Sequence, residues 1–504
     1  GYSRELALLS YFGRLNYDYK GKYLLEANFR ADASSRFAKG YRWGYFPSFS
    51  AGWSISEEDF MENTHGWLQS LKLRGSWGLL GNQDAVSDEY YPYLPTLYIG
   101  KNFPFGGSVH QGITVVSHKV TTISWENSTN WGIGFDANFL NEFMLSVEYY
   151  NRKISDIIMD IPVSDTFGIS GTYQDNKGSL RNSGVEASFA WNHSFNKDWR
   201  MGINANFSYN KNNNKIIELH PDAAEYIGLR GSTGWGNMRI QSAARFGGPY
   251  GVLISDITPK RDDNGNIILK WSDSDRSAYA DRSLKNEVIG DMNPDFLGSV
   301  STGLTWKNLS FRMALDMRFG GKVAVYGNRY GTAYGWTESS LKFRDEAHGG
   351  MTWTSQYLNA DGSQSGSYGV TYHDGMIPQG IFASGTQVTG IDGKTHDVSG
   401  MSYQQAYENG ILEPMHAASY YNYANQWSTG VTNDGWIHDL KYIALREITV
   451  GYTFPSNIAG KIGAKRLGVS FSARNLGYLY NSLPNDVNPE GVRGNLSGEF
   501  RIRS

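Results

Sequence analysis

The chain has 504 residues, a formal net charge of −3, no cysteine and a mean hydropathy of −0.46. This charge provides no basic field for nucleic acid, and the lack of cysteine excludes disulfides, thiolate nucleophiles and cysteine-based zinc sites. The sequence has no run of 18 or more apolar residues, so no helix is predicted to span a bilayer. The 59 glycines and an aromatic content of 14% favour many short strands and turns.

The first predicted element is a hairpin from Ser10 to Asp32 with a tight turn at Lys20–Lys22. Apolar residues such as Leu15 and Leu25 alternate with polar and charged ones, which is the period of a strand. A soluble sandwich rarely carries a row of charges opposite its core, whereas a membrane barrel is apolar toward lipid and polar toward its lumen. The hairpin therefore predicts part of a transmembrane barrel.

Similar alternation recurs along the chain and predicts about 12 strands. The further strands are predicted at about 43–55, 68–81, 130–153, 184–210, 295–321 and 442–478, the last four ranges being hairpins. Long connections, interpreted as extracellular loops, are predicted at about 81–128, 154–181, 211–294, 321–439 and 477–504. Long loops at one rim and short turns at the other are typical of outer-membrane barrels. The predicted fold class is therefore all-β, a transmembrane antiparallel β-barrel.

Several long segments also resemble the SusC/RagA type of TonB-dependent transporter of the Bacteroidota outer membrane. The matching segments are "SYFGRLNYDYKGKYLLEANFRADASSRF", "WGYFPSFSAGWSISEEDFM", "LKLRGSWGLLGNQ", "IGDMNPDFLGSVSTGLTWKNLSFRMALDMRFGG", "LREITVGYTFP" and "SARNLGYL". The resemblance implies a 22-stranded barrel with an internal plug, a TonB box before the plug and a SusD-like surface lipoprotein as a lid. It also implies import of glycans or peptides, driven through TonB.

The chain departs from this family pattern at both ends. It begins inside a patterned region, without a recognisable plug, TonB box or first set of strands, and it ends in "GEFRIRS" instead of an aromatic strand. Residues 1–504 are therefore expected to be a barrel segment, the C-terminal portion of the transporter, with TonB engaged through the missing N-terminal region. This segment alone is not expected to transport.

A row of charged residues is predicted to face the lumen and the plug. It consists of Arg14, Asp18, Glu26, Arg30, Arg74, Glu186, Arg200, Arg312, Asp316 and Arg318. These side chains are candidates for binding solute, but holding the plug and the lumen water is the favoured interpretation.

Aromatic residues in the predicted loops are candidate contacts for a ligand or for the lid. They are Trp235, Trp271, Trp336, Trp353, Tyr420, Tyr421 and Trp427. A flat aromatic face suits a sugar ring, but contacts with a lid or packing within the loops explain such residues at least as well.

The sequence gives little support for a metal or a catalytic site. Two loops, Arg261–Asn266 and Asp361–Gly366, place acidic and amide oxygens around glycine and are therefore candidate sites for Ca²⁺. Because they lack the distal glutamate of a full calcium loop, the favoured interpretation is plain turns. The chain has no HExxH motif and no nucleophile elbow. No cofactor is expected, and an enzyme is disfavoured.

The sequence leads to two hypotheses of function. The favoured one is TonB-dependent import of oligosaccharides or peptides across the outer membrane with a SusD-like lid. The alternative is a SusC-like barrel that serves as a structural or assembly subunit of a larger outer-membrane complex.

Overall fold

The computed structural model describes most of the chain between residues 5 and 497. The described residues are 5–84, 90–95, 97–115, 119–163, 172–210, 215–218, 227–228, 240–255, 257–274, 276–283, 285, 287–325, 338–341, 344–356, 371–417, 419–420, 437–484, 487–491 and 496–497.

The largest sheet contains a path of twelve antiparallel strands, here called the wall. Strands are numbered along the chain, and the wall consists of β1 (Leu8–Tyr19), β2 (Tyr23–Ser34), β3 (Trp43–Ser54), β4 (Leu68–Asn82), β7 (Glu126–Phe139), β8 (Phe143–Pro162), β9 (Thr172–Ser194), β10 (Trp199–Tyr209), β20 (Phe296–Trp306), β21 (Leu309–Phe319), β30 (Tyr442–Thr453) and β31 (Gly468–Asn481). Each wall strand pairs with the wall strand before it in the chain. The predicted all-β antiparallel fold with about 12 wall strands is confirmed.

The register gives the wall two faces of opposite character. Cross-strand partners share a face, so the pairs Asn16–Glu26, Glu26–Ser50 and Ser50–Ser76 place one polar row across four strands. The same row continues through the remaining strands to Thr449 and Ser472. The opposite face is apolar and open to the surroundings, as shown by Ile133 at 59% exposure and Phe471 at 74%.

The connections between successive wall strands lie alternately at one rim of the sheet and at the other. The short-turn rim holds the connections 20–22, 55–67, 140–142, 195–198, 307–308 and 454–467, and the long-loop rim holds 35–42, 83–125, 163–171, 210–295 and 320–441. The tight turn at Lys20–Lys22 shows how the sequence fixes a short connection. Gly21 there has a φ of +68°, a conformation that glycine adopts without strain, and its N–H donates to Oδ1 of Asp18 at 2.7 Å.

The connections at the long-loop rim contain small strands of their own. The connection between β4 and β7 contains β5 (Leu97–Phe105) and β6 (Ser108–Val115). Between β10 and β20 lie β11 (Lys215–Glu218), β12 (Ile227–Gly228), β13 (Ile240–Ala244), β14 (Val252–Ser255), β15 (Thr258–Pro259), β16 (Ile268–Ser272), β17 (Ser277–Ala280), β18 (Arg282–Ser283) and β19 (Glu287–Asp291). Between β21 and β30 lie β22 (Lys322–Val325), β23 (Met351–Thr354), β24 (Thr371–Met376), β25 (Ile381–Phe382), β26 (Gln387–Thr389), β27 (Thr395–Asp397), β28 (Met415–His416) and β29 (Ile437–Asp439), and β32 (Leu496–Ser497) follows the wall.

Helices are short wherever the structure describes the chain. The 3₁₀ segments are Ile55–Glu57, Asp59–Thr64 and Glu338–Leu341, and the α-helices are Tyr403–Glu408 and Ser456–Lys461. Among the described residues, none of these helices has the length and apolar character needed to cross a membrane.

The loop predicted at about 154–181 is shorter than expected. Strand β8 continues to Pro162 and β9 begins at Thr172, and the two remain paired through Ile161–Tyr173. The alternation fades there because the pairing passes two register shifts near Ile157. A strand with such irregularities does not show a clean period of two in its sequence.

Candidate functional site

All ten residues of the predicted charged row lie on the polar face of the wall. The register places Arg14, Asp18, Glu26, Arg30, Arg74, Glu186, Arg200, Arg312, Asp316 and Arg318 on the same side of the sheet. Their contact with a lumen or a plug stays a prediction. The structure shows instead how their charges are used within the chain.

Charged residues near β1 and β2 pair with one another. Nη2 of Arg14 lies 2.6 Å from Oε2 of Glu26, and Nε of Arg30 lies 2.6 Å from Oδ2 of Asp32. Glu26 also accepts a hydrogen bond from Nδ2 of Asn28 at 2.7 Å. These side chains form a connected polar surface, and Asp18 is occupied in closing the turn after β1.

Arg74 connects three strands on the polar face. Its guanidinium forms ion pairs with Glu148 and, at 3.2 Å, with Asp136. A Cβ at Gly132 would lie 2.6 Å from Oε1 of Glu148, so the glycine leaves space for this carboxylate. The arrangement needs a small residue beside a charge pair, which explains why glycine interrupts the polar row here.

Glu186 has a different environment from its neighbour Glu148. The two glutamates are directly opposite each other in the β8–β9 register. Arg74 pairs with Glu148, whereas Glu186 is exposed and has no ion pair among the described residues. Like charges at directly opposite positions repel each other, and the ion pair with Arg74 compensates the charge of Glu148 but not that of Glu186.

A groove on the polar face runs past these carboxylates. It has a volume of about 640 Å³ and is lined by Glu26, Glu148, Arg152 and Glu186 together with serine and asparagine side chains. A second groove of about 580 Å³ lies toward the short-turn rim, between Asp18, Lys72 and Arg74. Both grooves combine charged and hydrogen-bonding groups with apolar lining residues such as Leu24 in the second groove and Leu80 in the first.

Arg446 is a charged residue of this face that the sequence pattern did not identify. It sits at a β-bulge in β30, where the register skips from Leu445 to Glu447. Its Nε lies 2.6 Å from Oδ2 of Asp316, and its Nη1 donates to Oε2 of Glu490 at 2.7 Å. The bulge breaks the period of two, so alternation alone gives no signal for its side chain.

Arg318 lies at the long-loop end of the polar face. Its Nη2 donates to the backbone oxygen of Met292 at 2.9 Å, and its Nε is buried without a hydrogen-bond partner among the described residues. Arg200 and Arg312 have no ion pair within the part of the chain that the structure describes. The charged row therefore includes both residues in ion pairs and residues available to another molecule.

The two longest connections share one hydrophobic core, here called the loop core. Strand β16 from one connection pairs in parallel with β25 from the other, through Ile268–Ile381 and Leu269–Phe382. The fully buried members include Leu269, Phe382 and Tyr403. A Ser402 capping box begins the short helix that carries Tyr403, whose hydroxyl donates to the backbone oxygen of Glu413 at 3.0 Å. The long loops therefore have a packed interior.

Trp353 is buried in an aromatic cluster with Tyr372 and His416. Its ring lies 5.2 Å from Tyr372 and 4.9 Å from His416, measured between centroids. Nδ1 of His416 lies 3.0 Å from Oδ2 of Asp374. Burial raises the pKa of Asp374, but the hydrogen bond and charge of His416 outweigh it, and the pKa is lowered below its usual value.

The other predicted loop contacts divide into two groups. Trp271 and Tyr420 are partly buried against the loop core, and Nε1 of Trp271 donates to Oδ1 of Asp273 at 2.9 Å. Trp235, Trp336, Tyr421 and Trp427 lie outside the described residues. The described aromatic residues pack within the loops, and their role toward a ligand or lid stays a prediction.

The loop Arg261–Asn266 has the geometry of a turn. Oδ1 of Asp262 accepts hydrogen bonds from the backbone N–H groups of Asn264 and Asn266, and Oδ2 accepts one from Nδ2 of Asn266. The loop Asp361–Gly366 lies outside the described residues. Within the described part of the chain, no group of three His, Cys, Asp or Glu is placed to hold a metal ion.

Comparison with protein families gives one matching model. Residues 2–332 match the family described as TonB dependent receptor-like, beta-barrel.

Curated relatives that match most of the chain include two TonB-dependent receptors. The chain is 31% identical to the TonB-dependent receptor SusC of Bacteroides thetaiotaomicron in an alignment of 326 positions that covers 62% of this chain and 31% of SusC. It is 28% identical to the TonB-dependent receptor P26 of Formosa agariphila over 390 residues, covering 72% of this chain and 36% of that protein. The chain thus spans about a third of the length of these relatives.

A solved structure has a similar fold. The structure of the RagAB peptide transporter aligns with 98% of this chain and 46% of the solved chain, with a TM-score of 0.64 and 18% sequence identity. This similarity concerns the fold alone, and the alignment includes nearly all of the present chain.

Proposed function

Because the chain belongs to the TonB-dependent receptor-like β-barrel family, we propose that the complete protein imports an oligosaccharide or a peptide. Proteins of this family lie in the outer membrane, so this chain is an outer-membrane protein. Import is proposed to draw on the inner-membrane energy supply through TonB, engaged by a region outside this chain. The proposed function is transport and includes no catalytic step.

The observation that carries the proposal is the two-faced wall. Its apolar face, with residues such as Tyr45 and Ile133 exposed, is suited to lipid, and its polar face carries charged residues and two grooves that contain hydrogen-bonding groups. A wall of this kind separates lipid from an aqueous interior through which a hydrophilic solute can pass. A peptide or oligosaccharide is such a solute, and the similar fold of a peptide transporter supports the first of these.

We propose that a SusD-like lipoprotein covers the long-loop rim. The loop core joins the two longest connections through β16 and β25, so these loops have an ordered interior on which a partner can rest. Loops without such a core would lose more conformational entropy on binding a partner.

The proposal is tested in the source bacterium with the complete gene. A deletion strain is grown on single oligosaccharides or on peptide mixtures as the limiting nutrient, and uptake of the labelled nutrient is measured. We expect one class of nutrient to fail in the deletion strain and to be restored by the complete gene. A second strain lacks only the segment that engages TonB, and it should take up no more nutrient than the deletion strain.

The outcome also separates import from an assembly role. Normal uptake in the strain without the TonB segment would contradict the proposal. If uptake is unchanged in the deletion strain while the composition of an outer-membrane complex changes, the chain is an assembly subunit instead. Co-purification of a surface lipoprotein with the complete protein tests the proposed lid separately.

A further inference from the structure

Three neighbouring turns of the short-turn rim, here called the basic turns, together carry a net positive charge, and the turn Lys20–Lys22 adds two lysines elsewhere on the same rim. The basic turns are residues 195–198, 307–308 and 454–467, and they contain Lys197, Lys307, Lys461, Lys465 and Arg466 against the single acid Asp198. The connection 55–67 at the same rim has the opposite composition, with Glu57, Glu58, Asp59 and Glu62 and no Lys or Arg.

In the acidic connection, the carboxylate of Glu58 is bound by other side chains of the same protein. Glu58 accepts hydrogen bonds from the hydroxyl of Tyr23 at 2.6 Å, from Nε1 of Trp53 at 3.0 Å and from Nζ of Lys22 at 3.3 Å. These bonds hold the carboxylate against the ends of β2 and β3, so its charge is compensated locally.

Within the described ranges, the cations of the basic turns are not held by hydrogen-bonding partners in the way that Glu58 is. All five cations are exposed. Among the described residues only Lys307 lies within ion-pair distance of a carboxylate, since its Nζ lies 3.9 Å from Oδ2 of Asp198. No carboxylate lies within ion-pair distance of the other four in the described part of the chain. The basic turns therefore present a positive surface to the surroundings.

Backbone hydrogen bonds join the basic turns into one surface. The N–H of Lys307 donates to the oxygen of Asp198 at 2.7 Å, and the N–H of Thr453 donates to the oxygen of Asn308 at 2.9 Å. Directly beside this surface, on the apolar face of the wall, Trp199 and Trp306 stack at 5.6 Å. Nζ of Lys307 lies 5.7 Å from the ring centre of Trp306.

The longest basic turn also exposes apolar side chains. Ile458 is 42% exposed and Ile462 is 65% exposed, while Ala459 between them is fully buried. Phe454 continues the apolar face beyond the end of β30, with its ring 5.2 Å from that of Tyr452. Exposed isoleucines among lysines and an arginine are typical of a segment that lies in a membrane interface.

We propose that the basic turns bind the phosphate headgroups of anionic phospholipids in the periplasmic leaflet of the outer membrane. Short turns of outer-membrane barrels face the periplasm, so the cations lie at the level of that leaflet. Stacked tryptophans beside lysines match the boundary between acyl chains and headgroups. The site concerns the position of the barrel in the membrane and does not depend on which solute is carried.

An anionic lipid fits this surface better than an acidic protein does. The cations border residues of the lipid-facing side, Trp306 and Tyr452, so a group that binds here must have a negative head and an apolar body. A water-soluble acidic partner would leave these side chains without a complementary surface.

The test uses the complete protein purified from the outer membrane and placed in lipid bilayer discs. Discs contain either phosphatidylcholine alone or a mixture with phosphatidylglycerol, and native mass spectrometry measures which lipids remain bound after the disc is removed. We expect a clear preference for phosphatidylglycerol that disappears at 0.5 M salt. The variant Lys461→Ser/Lys465→Ser/Arg466→Ser should weaken this binding by about a hundredfold.

A matched variant controls for net charge. Lys39→Ser/Lys285→Ser/Lys394→Ser removes three exposed lysines from the long-loop rim, and it should bind phosphatidylglycerol as the unmodified protein does. The proposal is overturned if the unmodified protein shows no preference, or if both triple variants lose binding equally. It is also overturned if the basic turns retain an acidic protein and no anionic lipid. Should the first variant fail to assemble, Lys465→Ser alone and the salt dependence of the unmodified protein decide.

Discussion

The wall and the loop core differ in where they place their apolar residues. The wall exposes them to its surroundings, whereas the loop core buries them. In the wall, Phe471 is 74% exposed and the charged residues face the other side of the sheet. In the loop core, Phe382 is 1% exposed and is surrounded by other apolar side chains. One chain thus follows two packing rules, because the wall is solvated by lipid and the loops by water.

This difference has a consequence for mutational sensitivity. A side chain removed from the loop core leaves a cavity that the protein must close or tolerate. A side chain removed from the lipid face leaves space that acyl chains fill. Substitutions of the same chemical type are therefore expected to have different effects in the two regions.

The largest expected effect is that of Phe382→Ala in the loop core. Its ring lies 5.8 Å from that of Tyr403, and its removal should destabilise the loop core by about 3–5 kcal/mol. Hydrogen exchange across residues 376–417 should accelerate strongly, while exchange in β2 and β3 stays unchanged. Phe471→Ala on the lipid face is the matched control and should leave both regions protected. Equal acceleration by the two variants would contradict the comparison.

The second prediction concerns the two faces of β2. Phe29→Arg places a charge on the lipid face near the middle of the strand and should destabilise the assembled wall by about 2–4 kcal/mol. Asn28→Arg places the same charge on the polar face, beside Glu26, and should be tolerated. Urea-dependent folding into lipid vesicles measures both. The assignment of the two faces fails if the variants are equally destabilised.

The third prediction separates two ion pairs on the polar face. Arg446→Met leaves Asp316 and Glu490 without their shared partner and should destabilise residues 487–491 by about 1.5–3 kcal/mol. Arg474→Met removes the more exposed pair with Glu447 and should have an effect of under about 1 kcal/mol. Hydrogen exchange of residues 487–491 is the measurement. A larger effect of Arg474→Met would show that the bulge at Arg446 is not the main anchor.

The smallest expected effect depends on pH. Because the pKa of Asp374 is lowered in the folded protein, its contribution to stability is complete above the unfolded value of about 3.9. The contribution is lost as the pH falls below that value and through the lowered folded pKa. Exchange in β24 should therefore increase between pH 5 and pH 3 relative to exchange in β2. Asp374→Asn should remove this pH dependence, and an unchanged dependence in that variant would contradict the assignment.

The wall was predictable from the sequence because its physical rule is local. Alternation identifies strand and face together, so the hairpin from Ser10 to Asp32 was placed correctly, including its turn at Lys20–Lys22. The rule fails where the backbone departs from a period of two. The bulge at Arg446 and the register shifts near Ile157 are two such places. There the alternation does not identify the charged side chain of Arg446 or the continuation of β8 and β9.

The loop core was not predictable because its contacts join distant segments. Leu269 and Phe382 are neighbours across a pairing of two connections, and no local period relates them. Trp353 was considered as a possible ligand contact, yet it is 9% exposed among other aromatic rings. A tryptophan in a polar loop gives the same sequence signal whether it is exposed or buried.

The pairing of β16 with β25 also has a consequence for the order of folding. These strands lie on either side of the β20–β21 hairpin in the chain, so their contact closes a loop of more than 100 residues. Closing a long loop has an entropic cost that a tight hairpin avoids. The β20–β21 hairpin brings the bases of both connections together first and thereby shortens the effective distance. We expect the hairpin to form early and the loop core to be one of the last parts to become native.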